Sequence, residues 1–289
     1  MTRAAAPTIG VCSWSLQPAG PAELVERVLA CDLSAVQLAL DPVRTGRWDE
    51  IATIDSLGSS GIRVLSGMMA MEGEDYSTLG SIKTTGGVAP DQTWTTNLAA
   101  AHENAELAGR MGIGLVTFHA GFLPHDRKDP RRGVLIDRLR ELAVVFADRG
   151  VAIACETGQE SAGTLLGILT DLNSSLADRT PKTTVGVNFD PANMILYGMG
   201  DPVASLLALA PVVRQIHVKD AIPTTMAGTW GKEVPVGTGA VDWPAFFGAF
   251  ATSGLNTGNG VNLVIEREAG DDRVRDVIRA RTVIQSHAR

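Results

Sequence analysis

The chain has 289 residues, of which 45% are hydrophobic and 20% are charged, and its formal net charge is −7. This length lies within the roughly 200–400 residues of an eightfold α/β barrel, so one domain spanning residues 1–289 is the simplest expectation. The acidic balance, the absence of a basic cluster and the absence of an apolar stretch of roughly 18 residues disfavour nucleic acid and membranes as partners.

Short β-type runs alternate with helical patterns along the whole chain. The eight predicted strands are TIGVCSW (8–14), SAVQLAL (34–40), IRVLSGM (62–68), IGLVTFH (113–119), VAIACE (151–156), TVGVNFD (184–190), VRQIHVK (213–219) and VNLVIER (261–267). Between them lie helical patterns with Ala and Leu faces, such as 21–30, 97–111, 134–148 and 274–286. Strict alternation predicts a parallel sheet, and eight units predict closure into a single (β/α)8 TIM barrel.

Two connections that follow strands are longer than the roughly two to six residues typical of such loops. They run from about Met69 to Trp94 and from Ala221 to Trp243. Because loops after barrel strands surround the active site of this fold, we expect both to form walls or a lid. The second contains a GTG segment (237–239), which either needs unusual backbone angles or holds a substrate phosphate near Lys232.

Four successive predicted strands end in possible metal ligands, namely Glu156, Asp190, His217 and Glu266. Each has a structural alternative, since Asp190 before Pro191 could cap the next helix and a lone histidine is commonly a core residue. Their coincidence on four neighbouring strands favours a shared cation site. Three carboxylates and one imidazole suit Mn²⁺, with Mg²⁺ or Co²⁺ as alternatives.

These residues lie in the segments ACETGQE (154–160), VNFDPANM (187–194), QIHVKDA (215–221), VPVGTGAVDW (234–243) and VIERE (264–268). Because of these segments, the chain resembles, over nearly its whole length, the sugar phosphate isomerase/epimerase group of the xylose isomerase-like TIM barrel superfamily. The resemblance implies one Mn²⁺-type ion held by the four residues. It also implies that Glu156 and Glu266 are the acid/base pair, that Asp190 and His217 are ligands only, and that the protein forms a homo-oligomer.

Seven further residues are candidate substrate-binding residues: Trp14, His119, Gln159, Glu160, Asn193, Lys219 and Asp220. We expect Asp220 to orient the imidazole or to contact a hydroxyl, and Trp14 to form an apolar wall or to pack within the barrel. His119 could equally have a core or loop role, and Lys219 could be a charged rim residue. Ketose epimerases of the group commonly have histidine where Asn193 stands, which argues against simple ketohexose epimerisation.

The expected reaction is isomerisation or epimerisation of a sugar or polyol by proton abstraction next to a carbonyl. A dehydratase or lyase acting on an inosose, dehydroshikimate or a 3-keto-glycoside is the main alternative, because it shares that first step. A non-catalytic sugar-binding barrel is a further alternative. A DNA repair enzyme related to AP endonucleases is disfavoured by the net charge and by the presence of only five histidines.

The cellular location is expected to be cytoplasmic. Residues 1–10, MTRAAAPTIG, show no hydrophobic region or cleavage pattern of a secretory leader. The cysteines Cys12, Cys31 and Cys155 are widely spaced among apolar neighbours, which is typical of reduced, buried thiols.

Overall fold

The computed structural model describes residues 7–226, 228–256 and 260–287. Residues 1–6, which belong to the segment considered above as a possible secretory leader, lie outside the described part. The barrel strands are β1 Ile9–Cys12, β2 Ala35–Ala39, β3 Arg63–Met68, β4 Leu115–Phe118, β5 Ala152–Glu156, β6 Gly186–Phe189, β7 Val213–Val218 and β10 Asn262–Ile265. They pair in parallel and close in the order β1-β10-β7-β6-β5-β4-β3-β2. The predicted eight-stranded barrel is confirmed.

Helices cover the outside of the barrel. They are α1 Pro21–Ala30, α2 Asp41–Arg44, α3 Glu50–Ser59, α4 Leu79–Thr85, α5 Asp91–Arg110, α6 Arg131–Ala147, α7 Ala162–Ser175, α8 Pro191–Leu196, α9 Pro202–Leu209, α10 Trp243–Thr252 and α11 Arg273–His287. Within the described residues, none of these helices is both long and apolar enough to cross a membrane. One continuous apolar core joins them to the strands.

The inside of the barrel is more polar than its apolar strands suggest. Gln37 on β2 donates to Thr117 on β4 at 2.7 Å, and Ser66 on β3 donates to Gln215 on β7 at 2.6 Å. These strands are not neighbours in the sheet, so the hydrogen bonds cross the barrel interior. All four side chains are fully buried, and they form a polar layer below the rim where the strands end.

The two long connections have structure of their own. The first contains α4, which begins at a capping box formed by Thr78 and Ser81. The second forms an antiparallel hairpin of β8 Asp220–Ile222 and β9 Lys232–Val234. Both connections contribute side chains to a cavity at the rim, as predicted. The three cysteines are buried free thiols, which also agrees with the prediction.

Candidate metal centre

Four side chains meet where β5, β6, β7 and β10 end. Glu156 is the last residue of β5, Asp190 follows β6, His217 lies in β7 and Glu266 follows β10. One potential ligand atom from each lies within 4.8 Å of the others, and all four side chains are almost completely buried. The barrel therefore brings together the four residues that the sequence places on separate strands.

The Asp190 carboxylate has two different oxygens. Oδ1 accepts hydrogen bonds from the backbone N–H groups of Ala192 at 2.7 Å and Asn193 at 3.0 Å, and so caps α8. Oδ2 is buried and has no hydrogen-bond partner among the described residues. A buried carboxylate oxygen without a donor is costly unless a cation binds it. The cap and the ligand are therefore compatible roles of one side chain.

His217 presents the second atom of this kind. Its Nδ1 is buried without a hydrogen-bond partner in the described chain, 3.4 Å from Glu266 Oε2, 3.5 Å from Glu156 Oε1 and 4.0 Å from Asp190 Oδ2. Nitrogen and oxygen ligands bind metal at roughly 2.0–2.2 Å, which puts donors sharing one ion about 3–4.4 Å apart. The spacing and the oxygen-rich donor set thus fit a divalent cation such as Mn²⁺ or Mg²⁺.

Glu156 is held by two amides. Asn193 Nδ2 donates to Oε1 at 3.0 Å, and Asn188 Nδ2 donates to Oε2 at 3.2 Å. His119 Nε2 lies 3.8 Å from Oε1. Asn193 comes close because Gly158, at φ 139°, has no side chain, and a Cβ there would lie 2.5 Å from that of Asn193. Asn193 thus orients a cluster carboxylate.

Glu266 is held by an indole and an ammonium group. Trp14 Nε1 donates to Oε1 at 3.0 Å, and Lys219 Nζ donates to Oε2 at 2.9 Å. Lys219 is buried and also donates to Glu268 Oε2 at 2.6 Å. Trp14 is therefore a hydrogen-bond donor to the cluster as well as a wall, and Lys219 is an internal charge of the site.

These surroundings shift the pKa values of the cluster in different directions. Burial would raise the pKa of Glu266, but Lys219 and His217 outweigh burial and hold it well below its usual range. Burial raises the pKa of Asp190 to about 8, because Lys219 offsets only part of the desolvation. Glu266 is therefore ionised at neutral pH, whereas burial disfavours the charged form of Asp190 unless a cation binds it.

A cavity of about 640 Å³ adjoins the cluster. Four of its lining residues contact Glu156 or Glu266, namely Trp14, His119, Asn193 and Lys219. Much of the remaining lining is apolar or aromatic: Ala39, Pro42, Met68, Ala70, Tyr76, Leu196, Tyr197 and Trp230. Tyr197 and Trp230 meet edge to face with 4.8 Å between ring centroids. Tyr76 and Trp230 come from the two long connections, which therefore form walls of the cavity.

Gln159 and Glu160 are not among the cavity-lining residues. Both lie in the turn after β5 and are buried, Gln159 beside Tyr197 and Glu160 against the backbone N–H of Leu123. Burial raises the pKa of Glu160 to about 8. The turn folds both side chains into the protein, and their expected substrate contact stays a prediction.

Asp220 has a different environment from the expected one. Its Oδ2 accepts hydrogen bonds from Gly237 N at 2.9 Å, Gly239 N at 3.1 Å and Trp243 Nε1 at 3.0 Å, and the carboxylate does not line the cavity. Gly237 has φ 81°, and a Cβ on Gly239 would lie 2.1 Å from Asp220 Oδ1. The GTG segment thus needs unusual backbone geometry, and its amides bind this carboxylate instead of a substrate phosphate.

Several residues around the cluster were not predicted, although the sequence pattern could have indicated three of them. Gln37 and Asn188 are polar side chains inside apolar runs, SAVQLAL and VGVNFD, and both are fully buried next to His217. Glu268 is the second acid of VIERE and contacts Lys219. The sequence pattern does not indicate Tyr197 and Trp230 as cavity residues, since their positions depend on α8 and on the hairpin connection.

Comparison with known proteins agrees with this architecture. The sequence model of the family described as xylose isomerase-like TIM barrel matches residues 25–286. The chain belongs to this family. A solved member, a xylose isomerase domain protein from Planctomyces limnophilus, is 30% identical, with 91% of this chain and 90% of that chain covered and a TM-score of 0.79.

Two more distant structures share the family fold. A xylose isomerase-like TIM barrel protein from Mycobacterium smegmatis in complex with magnesium is 15% identical, with 100% and 99% of the two chains covered and a TM-score of 0.68. D-allulose 3-epimerase from Methylomonas sp. in complex with D-allulose is 15% identical, with 98% and 97% covered and a TM-score of 0.71. No curated protein was found to match the sequence.

Proposed function

We propose that this protein is a divalent-metal-dependent isomerase or epimerase of an uncharged keto sugar or polyol. The observation that carries the proposal is the pair Glu156 and Glu266, two carboxylates of one candidate cation cluster that contact different cavity-lining residues, Asn193 and Trp14. The likeness to D-allulose 3-epimerase and to a magnesium-bound barrel supports the same interpretation. Glu156, Asp190, His217 and Glu266 would hold the cation, with Mn²⁺ as the first choice.

A bound divalent cation stabilises the negative charge that develops on oxygen when a proton leaves the carbon next to a carbonyl. The side chains of this protein move the proton. Glu266, whose pKa Lys219 and His217 hold low against the effect of burial, is ionised and accepts it at a carboxylate oxygen. Trp14 and Lys219 keep that carboxylate in place by hydrogen bonds.

Glu156 is the candidate for returning a proton from the other side. His119 lies 3.8 Å from its Oε1, and although burial acts to lower the pKa of His119, Glu156 and Glu74 outweigh burial and raise it. A protonated His119 therefore stabilises the ionised form of Glu156, whose pKa His119 and His217 lower against the effect of burial. The proton that Glu156 returns to the carbon would be taken up from water or a substrate hydroxyl in the cavity. Removal by one carboxylate and return by the other inverts the carbon, which is an epimerisation.

The cavity favours an uncharged substrate. Its charged lining residues are four carboxylates, Asp41, Glu74, Glu233 and Glu268, and three cations, Arg47, Lys219 and protonated His119. The amides of Gly237 and Gly239, the candidate phosphate cradle, donate to Asp220. The net negative charge of the lining residues would therefore repel the phosphate group of a phosphorylated sugar.

The cavity is also larger than a single sugar needs. A hexose has twelve heavy atoms, which fill less than about 360 Å³ even when each is given the ~30 Å³ of a water molecule. The cavity of about 640 Å³ leaves room for a second group, such as the aglycone of a keto-glycoside, against Tyr197 and Trp230.

The test is incubation of the Mn²⁺-loaded protein in D₂O with a panel of ketoses, inososes and 3-keto-glycosides. We expect one deuterium in an isomerised or epimerised product, and NMR and mass spectrometry would detect it. Glu156→Gln and Glu266→Gln should each abolish turnover, while Glu156→Gln, which keeps the proton acceptor Glu266, retains exchange of the substrate proton. Glu103→Gln, which changes an exposed carboxylate on α5, is the matched control.

Two outcomes would contradict the proposal. Loss of water or of the aglycone without a rearranged sugar would identify a lyase, which uses the same first proton transfer. Tight binding of panel sugars with no deuterium exchange in the Mn²⁺-loaded protein would identify a binding protein.

A further inference from the structure

The polar layer inside the barrel lies directly against the imidazole of His217. Its members come from six strands and are almost all completely buried: Cys12, Gln37, Ser66, Thr117, Asn188 and Gln215. Buried polar groups are costly without hydrogen bonds, so the partners of these side chains reveal what the layer does. Gln37 is the member with the shortest contact to the imidazole, 2.7 Å from Oε1 to Nε2.

The orientation of the Gln37 amide is fixed by its surroundings. Nε2 lies 3.3 Å from the carbonyl oxygen of Gly67, which can only accept a hydrogen bond, and 2.7 Å from Thr117 Oγ1. This end of the amide is therefore the NH₂ group, and the other end is the oxygen. Since an amide oxygen carries no hydrogen, the 2.7 Å contact requires that His217 Nε2 donates to Gln37 Oε1.

Asn188 offers no alternative acceptor to that proton. Its Nδ2 donates to Glu156 Oε2 at 3.2 Å, and its Oδ1 accepts from Gln215 Nε2 at 3.3 Å. Nδ2 also lies 3.0 Å from His217 Nε2, but it could donate there only if Nε2 carried no hydrogen, which would leave two lone pairs facing each other across the shorter 2.7 Å contact with Gln37 Oε1. Turning this amide over would place its oxygen against the Glu156 carboxylate. Gln37 Oε1 is consequently the acceptor for the proton on Nε2.

We propose that Gln37 is a positioning residue that accepts the Nε2 hydrogen of His217, so that Nδ1 is the nitrogen that gives up its proton and offers a lone pair when a cation binds. Nδ1 is the atom that lies 3.4 Å and 3.5 Å from oxygens of Glu266 and Glu156. The imidazole is thereby prepared to share a divalent cation with the three carboxylates. This inference rests on the cation site of the proposed function and is independent of the substrate.

The test compares Gln37→Met with Gln215→Met. Methionine has a similar length but no strong acceptor. Gln215 is an equally buried glutamine of the same layer, and among the described residues its hydrogen bonds go to Ser66 and Asn188. We expect Gln37→Met to weaken Mn²⁺ binding by about 10–100-fold. Gln215→Met should change it by less than about threefold. Mn²⁺ binding is measured by electron paramagnetic resonance of the free ion.

A second readout reports the tautomer itself. In metal-free protein labelled with ¹⁵N at histidine, above the pH at which His217 loses its first proton, the wild type and Gln215→Met should show a protonated Nε2 on His217. Under the same conditions Gln37→Met should show both tautomers. Gln37→Glu keeps an oxygen acceptor, so it should retain the wild-type pattern even if the methionine variant fails to fold.

Equal loss of Mn²⁺ affinity in the two methionine variants, or a tautomer that does not depend on residue 37, would overturn the role of Gln37. Failure of the wild-type protein to bind Mn²⁺ or Mg²⁺ would instead overturn the cation site and the proposed function with it. The two failures are therefore distinguishable.

Discussion

Lys219→Met is the perturbation that tests the charge balance of the cluster most directly. The Lys219 ammonium is buried, 2.9 Å from Glu266 Oε2, 2.6 Å from Glu268 Oε2 and 3.9 Å from Asp190 Oδ2. Methionine keeps most of the side-chain length but removes the charge. Removing one partner of a buried ion pair costs roughly 3–5 kcal/mol, because the other charge stays buried without compensation.

That cost corresponds to a measurable change in melting temperature. Unfolding entropy is about 2.1 cal/mol/K per residue, or about 0.6 kcal/mol/K for a chain of 289 residues. The metal-free variant should therefore melt roughly 5–8 °C below the metal-free wild type. Circular dichroism at the same pH and ionic strength gives this difference.

Cation binding should change in the opposite direction. The ammonium and a bound cation compete for Glu266 Oε2 and Asp190 Oδ2. A unit charge and a divalent cation about 4 Å apart repel by about 8 kcal/mol at an effective dielectric constant near 20. We expect Lys219→Met to bind Mn²⁺ at least about tenfold more tightly than the wild type, so Mn²⁺ restores most of the lost melting temperature. Isothermal titration calorimetry measures the affinity.

Lys232→Met is the matched control, since Lys232 is an exposed lysine on β9 of the neighbouring hairpin. It should alter neither the melting temperature nor the Mn²⁺ affinity. The reasoning is refuted if Lys219→Met binds Mn²⁺ more weakly than the wild type, or if its metal-free form is as stable as the wild type.

Three further predictions concern individual contacts of the cluster. Asp190→Asn keeps the oxygen that caps α8, so the metal-free protein should melt within about 2 °C of the wild type or above it, while calorimetry should show Mn²⁺ affinity reduced at least about 100-fold. Trp14→Phe removes the donor to Glu266 but keeps an aromatic wall, so kcat on the substrate identified in the D₂O panel should fall about 10–100-fold with little change in KM, and an unchanged kcat would contradict this role. Burial raises the pKa of Asp190 to about 8, and Glu266, Cys12 and Glu156 outweigh burial to raise that of His217, so Mn²⁺ must displace protons. The Mn²⁺ affinity should therefore increase from about pH 6 to about pH 9, and the binding heat should vary with the ionisation enthalpy of the buffer.

The barrel could be predicted from the sequence because its signals are local. Each strand is a short apolar run, and each polar residue at a strand end is placed at the same rim by parallel pairing. Glu156, Asp190, His217 and Glu266 follow from those two facts. The residues around them do not, because Trp14 and Lys219 reach Glu266 through side-chain directions that depend on the closed barrel.

Asp220 illustrates the limit of an argument from position. It follows His217 by three residues, which suggested a contact with the imidazole or with a substrate hydroxyl. The hairpin of β8 and β9 instead returns the chain so that Gly237, Gly239 and Trp243 donate to its carboxylate. A donor set that lies about twenty residues later in the chain cannot be inferred from the spacing around His217.

Asp190 shows that one side chain can cap a helix and also offer an oxygen to a cation. A carboxylate has two oxygens, and the start of α8 uses only Oδ1, which accepts from Ala192 and Asn193. The same cap fixes the direction of Oδ2, which stays buried without a hydrogen-bond partner among the described residues. A ligand that is oriented before the cation arrives loses less conformational entropy on binding. The capping motif Asp-Pro at the end of a barrel strand is therefore itself an indication of a prepared ligand.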